Sequence, residues 1–163
     1  MKLKAFSAIA AVATVGVMGA ALSSSSAQPS EETMVLKMRF REASFQMVDN
    51  PPRMTKSRPS ESPGDTVVAR GWLRDSAGDR AGRAHSTFTV TGGKSPKTTE
   101  LASATVALAD GQIVIQGVIG TEQTDVLPIV GGSGAYEGAR GSVAITTGRR
   151  AVTFEFNVLP QAD

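Results

Sequence analysis

Turn signals recur beyond Asp65 at the spacing of a single β-strand, and that cadence limits the fold more than any other feature of the chain. Asp75-Ser76-Ala77-Gly78-Asp79, Gly92-Gly93, Ala109-Asp110-Gly111 and Gly148-Arg149 each interrupt a short apolar-rich run. Asp-Gly supplies the positive φ angles of a tight hairpin, so 100–108 and 112–119 read as paired strands. Further strands are expected over 65–75, 83–91, 124–130, 142–147 and 151–159. One more precedes them. Met34, Leu36, Met38 and Phe40 alternate with Lys37, Arg39 and Arg41, the period of a half-buried strand. Between it and Asp65 lies a long loop, 49–64, carrying Pro51, Pro52, Pro59 and Pro63. About eight short strands and no helical period indicate an all-β antiparallel barrel or sandwich. Eight strands closed on themselves leave room for packed side chains or one small ligand.

Charge narrows the partners. The 163 residues carry 17 Lys and Arg against 15 Asp and Glu, a net charge of +2. Met1-Lys2-Leu3-Lys4, the uncharged run Ala5 to Leu22 and Ser25-Ser26-Ala27 have the three-part form of a secretory signal peptide, 1–27. Its removal discards Lys2 and Lys4 but no acid, leaving a neutral chain from Gln28 with no stable membrane anchor. Residues 28–33 are expected to be a short disordered lead, and 34–163 a single barrel domain. A neutral chain lacks the basic footprint of a nucleic-acid binder. Absence of cysteine excludes disulfides, thiolate metal sites and a Cys nucleophile. His85, the only histidine, has no ligand-spaced companions, so no metal is expected.

The segment Val130-Gly131-Gly132-Ser133-Gly134-Ala135-Tyr136-Glu137-Gly138-Ala139-Arg140-Gly141 is the most distinctive. Its glycine spacing and the strand after it do not suit a dinucleotide loop, no Lys-Ser/Thr follows for a phosphate loop, and Ala135 stands where a nucleophile elbow needs glycine. A compact structural loop fits instead, with Tyr136 as its plug and Arg140 bonded to its carbonyls.

The same segment resembles the glycine-rich stretch of the allene oxide cyclase barrel family, which is kin to the plant dirigent proteins. Pro63-Gly64-Asp65, Leu108-Ala109-Asp110-Gly111-Gln112-Ile113 and Thr153-Phe154-Glu155-Phe156 match further family pieces in the same order. The likeness spans about residues 36–160. It implies an eight-stranded antiparallel, calycin-type barrel with an apolar lumen, no cofactor, and a homotrimer as in plant members. Members confine an apolar small molecule, so geometry supplies much of their effect. The family pattern turns Val67, Ala69, Gly71 and Leu73 towards the lumen, joined by Phe154 and Phe156. Plant cyclases carry asparagine where Gly71 stands, and no tyrosine occurs in 112–130 to match theirs, which argues against their specific reaction.

Three functions follow as expectations. The first is a secreted barrel that binds an apolar small molecule. The second is a cofactor-free cyclase or isomerase, with Arg39, Arg41, Glu42 or Glu155 assisting. The third is a filled barrel that acts through its outer surface. A polar group converging on the lumen separates the second from the first. Glu155 is expected to point outward, because Phe154 and Phe156 on either side need burial. Arg70, Trp72 and Arg74 share an outer face, where Trp72 serves a subunit contact or is covered by its own chain. Asp75 and Asp79 flank a turn and would make at most a weak calcium site.

Overall fold

The computed structural model describes residues 32–51, 55, 61–94 and 97–159. The expected signal peptide, 1–27, lies outside the described residues, as does 28–31 of the expected lead. Eight strands form one closed antiparallel barrel in chain order: β1 (Glu32–Val48), β2 (Thr66–Arg74), β3 (Arg80–Lys94), β4 (Lys97–Leu108), β5 (Gly111–Ile119), β6 (Thr124–Gly134), β7 (Arg140–Thr147) and β8 (Ala151–Leu159). Closure comes from β1 against β8, from Glu32↔Val158 to Arg39↔Ala151. Every strand pairs with its sequence neighbour, so closure needs only that one long-range ladder and leaves few edges to protect.

Inward rows follow the period of two. Leu73, Val106, Ile113, Ile115, Val143 and Phe156 are fully buried, and Leu36 is 2% exposed. They form one cluster with contributions from all eight strands. Side-chain size is uneven around the ring. β2 to β4 mix Leu73, Val90 and Val106 with the small Ala69, Gly71, Ala84, Ser86, Ala102 and Ala104, whereas β5 to β8 contribute mostly Ile, Leu, Val and Phe.

Several boundaries differ from expectation for local reasons. Glu32 and Thr33 belong to β1 rather than to a disordered lead, and the Thr33 hydroxyl lies 3.3 Å from Asn157 Oδ1. β1 runs on to Val48 through an irregularity between Met38 and Ala43, where four residues of β1 face Trp72 alone. The glycine segment is not all loop. Gly131 to Gly134 extend β6 and pair with Val114 to Gly111. A Cβ on Gly132 would stand 2.3 Å from the Tyr136 carbonyl oxygen and 2.5 Å from that of Gln112, so only glycine lets the strand and turn approach.

Turns close one end tightly. Ala135 N–H donates to the Asp110 carbonyl at 2.9 Å and Ala139 N–H to that of Tyr136 at 3.0 Å. Tyr136 packs against the core cluster, as a plug would. Arg140, expected to bond the loop carbonyls, is exposed and forms no such bond among the described residues, because backbone donors already serve them. The β2–β3 turn at this end uses Asp75 as an acceptor: its Oδ1 takes the Asp79 N–H at 2.9 Å.

Candidate functional site at the open end

The other end of the barrel is built differently. Beyond Arg39, β1 leaves β8 and pairs only with β2, with Ala43, Phe45 and Met47 opposite Gly71, Ala69 and Val67. Residues directly opposite in an antiparallel pair share a face, so these three continue the lumen row. Phe45 is nonetheless 54% exposed and Met47 38%. An apolar inner row thus reaches solvent at this end, called the mouth below. Phe45 is steadied by an edge-on contact with Phe40, centroids 6.1 Å apart.

Beside the mouth, Asp65 ties the β1–β2 connection to the barrel. It is fully buried, and its carboxylate accepts N–H groups from Asn50 at 2.8 Å and Ser62 at 2.6 Å, with the Ser62 hydroxyl at 3.2 Å. Its backbone carbonyl takes the Val90 N–H at 2.9 Å. These bonds satisfy a buried charge and give Asp65 a structural role.

One ionisable side chain on the inner row was not anticipated from sequence. Glu100 pairs with Val90 and Ile119, and Ala102, two residues on, is buried. Its carboxyl therefore faces the lumen at the mouth. Burial raises its pKa above the ordinary carboxylate value, and the charges of Glu61 and Asp125 raise it further, against a hydrogen bond from Thr98. Asp125 shares this rim through its pairing with Ile145, and its Oδ1 accepts the Gly120 N–H at 3.1 Å. No group suited to hold a metal ion occurs among the described residues.

Of the side chains singled out from sequence, the apolar ones face the interior and the charged ones do not. Val67, Ala69, Gly71 and Leu73 do form one inner row of β2, Val67 half-buried near the mouth and Leu73 fully buried deeper. Phe154 and Phe156 lie on the inner face of β8 with stacked rings, centroids 6.4 Å apart. A Cβ at Gly71 would meet Met38 Sδ at 2.6 Å, so Met38 occupies the space a larger residue would need. Glu155 points outward and is exposed. Glu42 is bound by Arg74 through both carboxylate oxygens, at 2.8 and 2.9 Å. That hydrogen-bonded pairing holds the Glu42 carboxyl below its ordinary pKa. Trp72 is covered by its own chain: Arg83 stacks on it at 3.9 Å and Arg80 at 4.4 Å. Both arginines come from β3, while Arg70 turns to Ser44 Oγ at 3.0 Å.

Arg39 and Arg41 find other company. With Lys37, Phe40, Arg149, Arg150 and Ala151 they line a cleft of about 510 Å³ where β1 departs from β8. The Phe40 N–H donates to the Arg150 carbonyl at 3.0 Å and pins the two walls together.

A closed meander of eight antiparallel strands packs an apolar interior, with Tyr136 against the core near one end and Phe45 and Met47 exposed at the other. Residues 33–159 match the profile described as dirigent-like protein, and the chain belongs to that family. A search of the curated proteins finds no match to the sequence. Among solved structures, pyocyanin demethylase is similar at TM-score 0.65 and 16% identity, covering 78% of this chain and 99% of that one. A pterocarpan synthase dirigent protein is similar at TM-score 0.61 and 20% identity, over 80% of this chain and 91% of its own. An exo-specific intermolecular Diels-Alderase is similar at TM-score 0.61 and 14% identity, over 79% and 96%. At these identities the likeness shows the fold.

Proposed function

We propose that this dirigent-like barrel confines an apolar small molecule at the open end of its lumen. The carrying observation is the inner row that stays apolar up to the mouth and emerges there at Phe45 and Met47, whereas at the opposite end Tyr136 packs against the core. Small side chains near the mouth on β2 and β3, Ala69, Gly71 and Ser86, leave room beside Phe45 for such a molecule. The similar folds named above act, by their names, on organic small molecules, which supports the same class of ligand here. Native mass spectrometry of the protein isolated from its own cells tests the reading. A retained apolar ligand is expected, and a consistently empty barrel would leave the outer surface as the working part.

Glu100 favours a second reading in which confinement is coupled to proton transfer. A carboxyl that keeps its proton to higher pH is suited to donate it to a bound molecule, and no cofactor is needed for that. On this reading Glu100→Gln retains ligand but loses turnover, and equal turnover in the variant would remove Glu100 from the chemistry.

Two further expectations join the proposal. Export with cleavage after Ala27 predicts Gln28 as the first residue of the mature protein, which N-terminal sequencing checks. Self-association, as in the plant relatives, would use the outer wall of β4 to β6, where Leu101, Val118, Val126 and Val130 are 41–66% exposed. Sedimentation velocity at the mass of a single copy would contradict it.

A further inference from the structure

We propose that the cleft between β1 and the β7–β8 turn binds a multiply charged oxyanion, a phosphate or phosphate ester group. This site stands on the outer rim and does not depend on the lumen reading. Lys37, Arg39 and Arg41 contribute one wall, Arg149 and Arg150 the other, and no carboxylate lines the space between them. Among the described residues none of the five forms an ion pair. Glu42, the acid nearest in sequence, is committed to Arg74 and feels Arg39 and Arg41 only at longer range.

The backbone holds these cations together. Arg39 stands opposite Ala151 in the β1–β8 ladder, and the Phe40 N–H bonds the Arg150 carbonyl. Five like charges in one cleft repel one another, and a bound anion relieves that repulsion. Guanidinium forks match the paired oxygens of a phosphate, and a dianion offers enough acceptors for more than one of them. At about 510 Å³ the cleft admits more than a bare ion. Phe40 and Ala151 complete its lining and give the organic part of an ester an apolar contact. The phosphate group comes either from a free phosphorylated molecule or from a lipid headgroup at a membrane surface, and both present the same chemistry to the arginines.

Isothermal titration with inorganic pyrophosphate tests the site in the native protein, in the double variant Arg149→Gln/Arg150→Gln, in Arg41→Gln on the facing wall, and in Arg140→Gln as a remote control. One pyrophosphate per chain is expected, with affinity that falls as salt rises. The double variant should weaken binding at least about ten-fold, Arg41→Gln by a few-fold, and Arg140→Gln not at all, with thermal unfolding reporting that each variant is folded. Vesicles containing phosphatidic acid separate the sources. Co-sedimentation lost in the double variant assigns a membrane headgroup, and pyrophosphate binding without co-sedimentation assigns a free molecule. Absence of pyrophosphate binding, or equal affinity in the native protein and both cleft variants, overturns the proposal.

Discussion

The two ends of the barrel are made from the same eight strands and solve different problems. At the closed end, short turns bond their own backbone, Tyr136 packs inward and the glycines let main chains approach until side chains no longer fit. At the open end, β1 parts from β8, apolar side chains of the inner row meet solvent, and charged groups gather: Glu61, Glu100 and Asp125 near β4 and β6, Arg39, Arg41, Arg149 and Arg150 near β1 and β8. In a ring of eight strands these groups stand on opposite sides of the mouth. Side-chain packing is densest in the middle of the barrel, and at the open end Asp65 supplies a buried anchor beside side chains that meet solvent.

Substitutions can break that division. The largest effect is expected from Phe156→Ala, which removes a fully buried ring from the central cluster. A loss of about 3–5 kcal/mol is expected, read as a lowered denaturant midpoint. Gly132→Ala comes next, because its Cβ would strike two backbone oxygens that cannot swing away. About 1–3 kcal/mol should be lost by thermal unfolding, and an unchanged protein would show that the closed end is looser than described.

Asp65→Asn tests the opposite side of the comparison, since this open-end residue is fully buried and accepts from Asn50 and Ser62. An amide cannot accept at both positions, so a loss of about 1–3 kcal/mol is expected, together with faster hydrogen exchange in the β1–β2 connection. Glu100→Gln should have the smallest effect, and a favourable one. The folded-state pKa of Glu100 is raised, so the folded protein holds the proton more tightly than the unfolded chain does. Stability therefore falls as pH rises from the ordinary carboxylate value through the folded one. Glutamine removes that fall, so the variant should equal the parent in acid and exceed it at neutral pH. A variant less stable than the parent at pH 7 would contradict the placement of Glu100.

Much of the fold was legible because period-two alternation and turn chemistry are local. β8 over 151–159 and the Asp110-Gly111 turn lie where the pattern puts them, and Glu155 points outward because its phenylalanine neighbours are buried. The mouth was less legible. Glu100 follows Thr98 and Thr99 and precedes Leu101, so the one large apolar residue there suggests the wrong face, and only pairing with Val90 and Ile119 fixes the register. The small inward alanines of β4 gave no stronger cue. Arg39 and Arg41 were visible as charges on β1, but their meeting with Arg149 and Arg150 depends on closure between the first strand and the last, which no local pattern encodes. Trp72 likewise gained its cover from Arg80 and Arg83 across the β2–β3 ladder rather than from its sequence neighbours.

The division between the ends makes one direct demand of solution behaviour. Methyl-resolved nuclear magnetic resonance, with naphthalene added as an apolar probe, reads both ends in a single titration. Saturable shifts are predicted at Met47, Ile119 and Ile145 around the mouth, with Val106, Ile113 and Val143 in the packed interior unmoved. Shifts confined to the outer-wall methyls of Val118 and Val126, or none at any concentration naphthalene reaches in water, would contradict a lumen that opens to receive a small molecule.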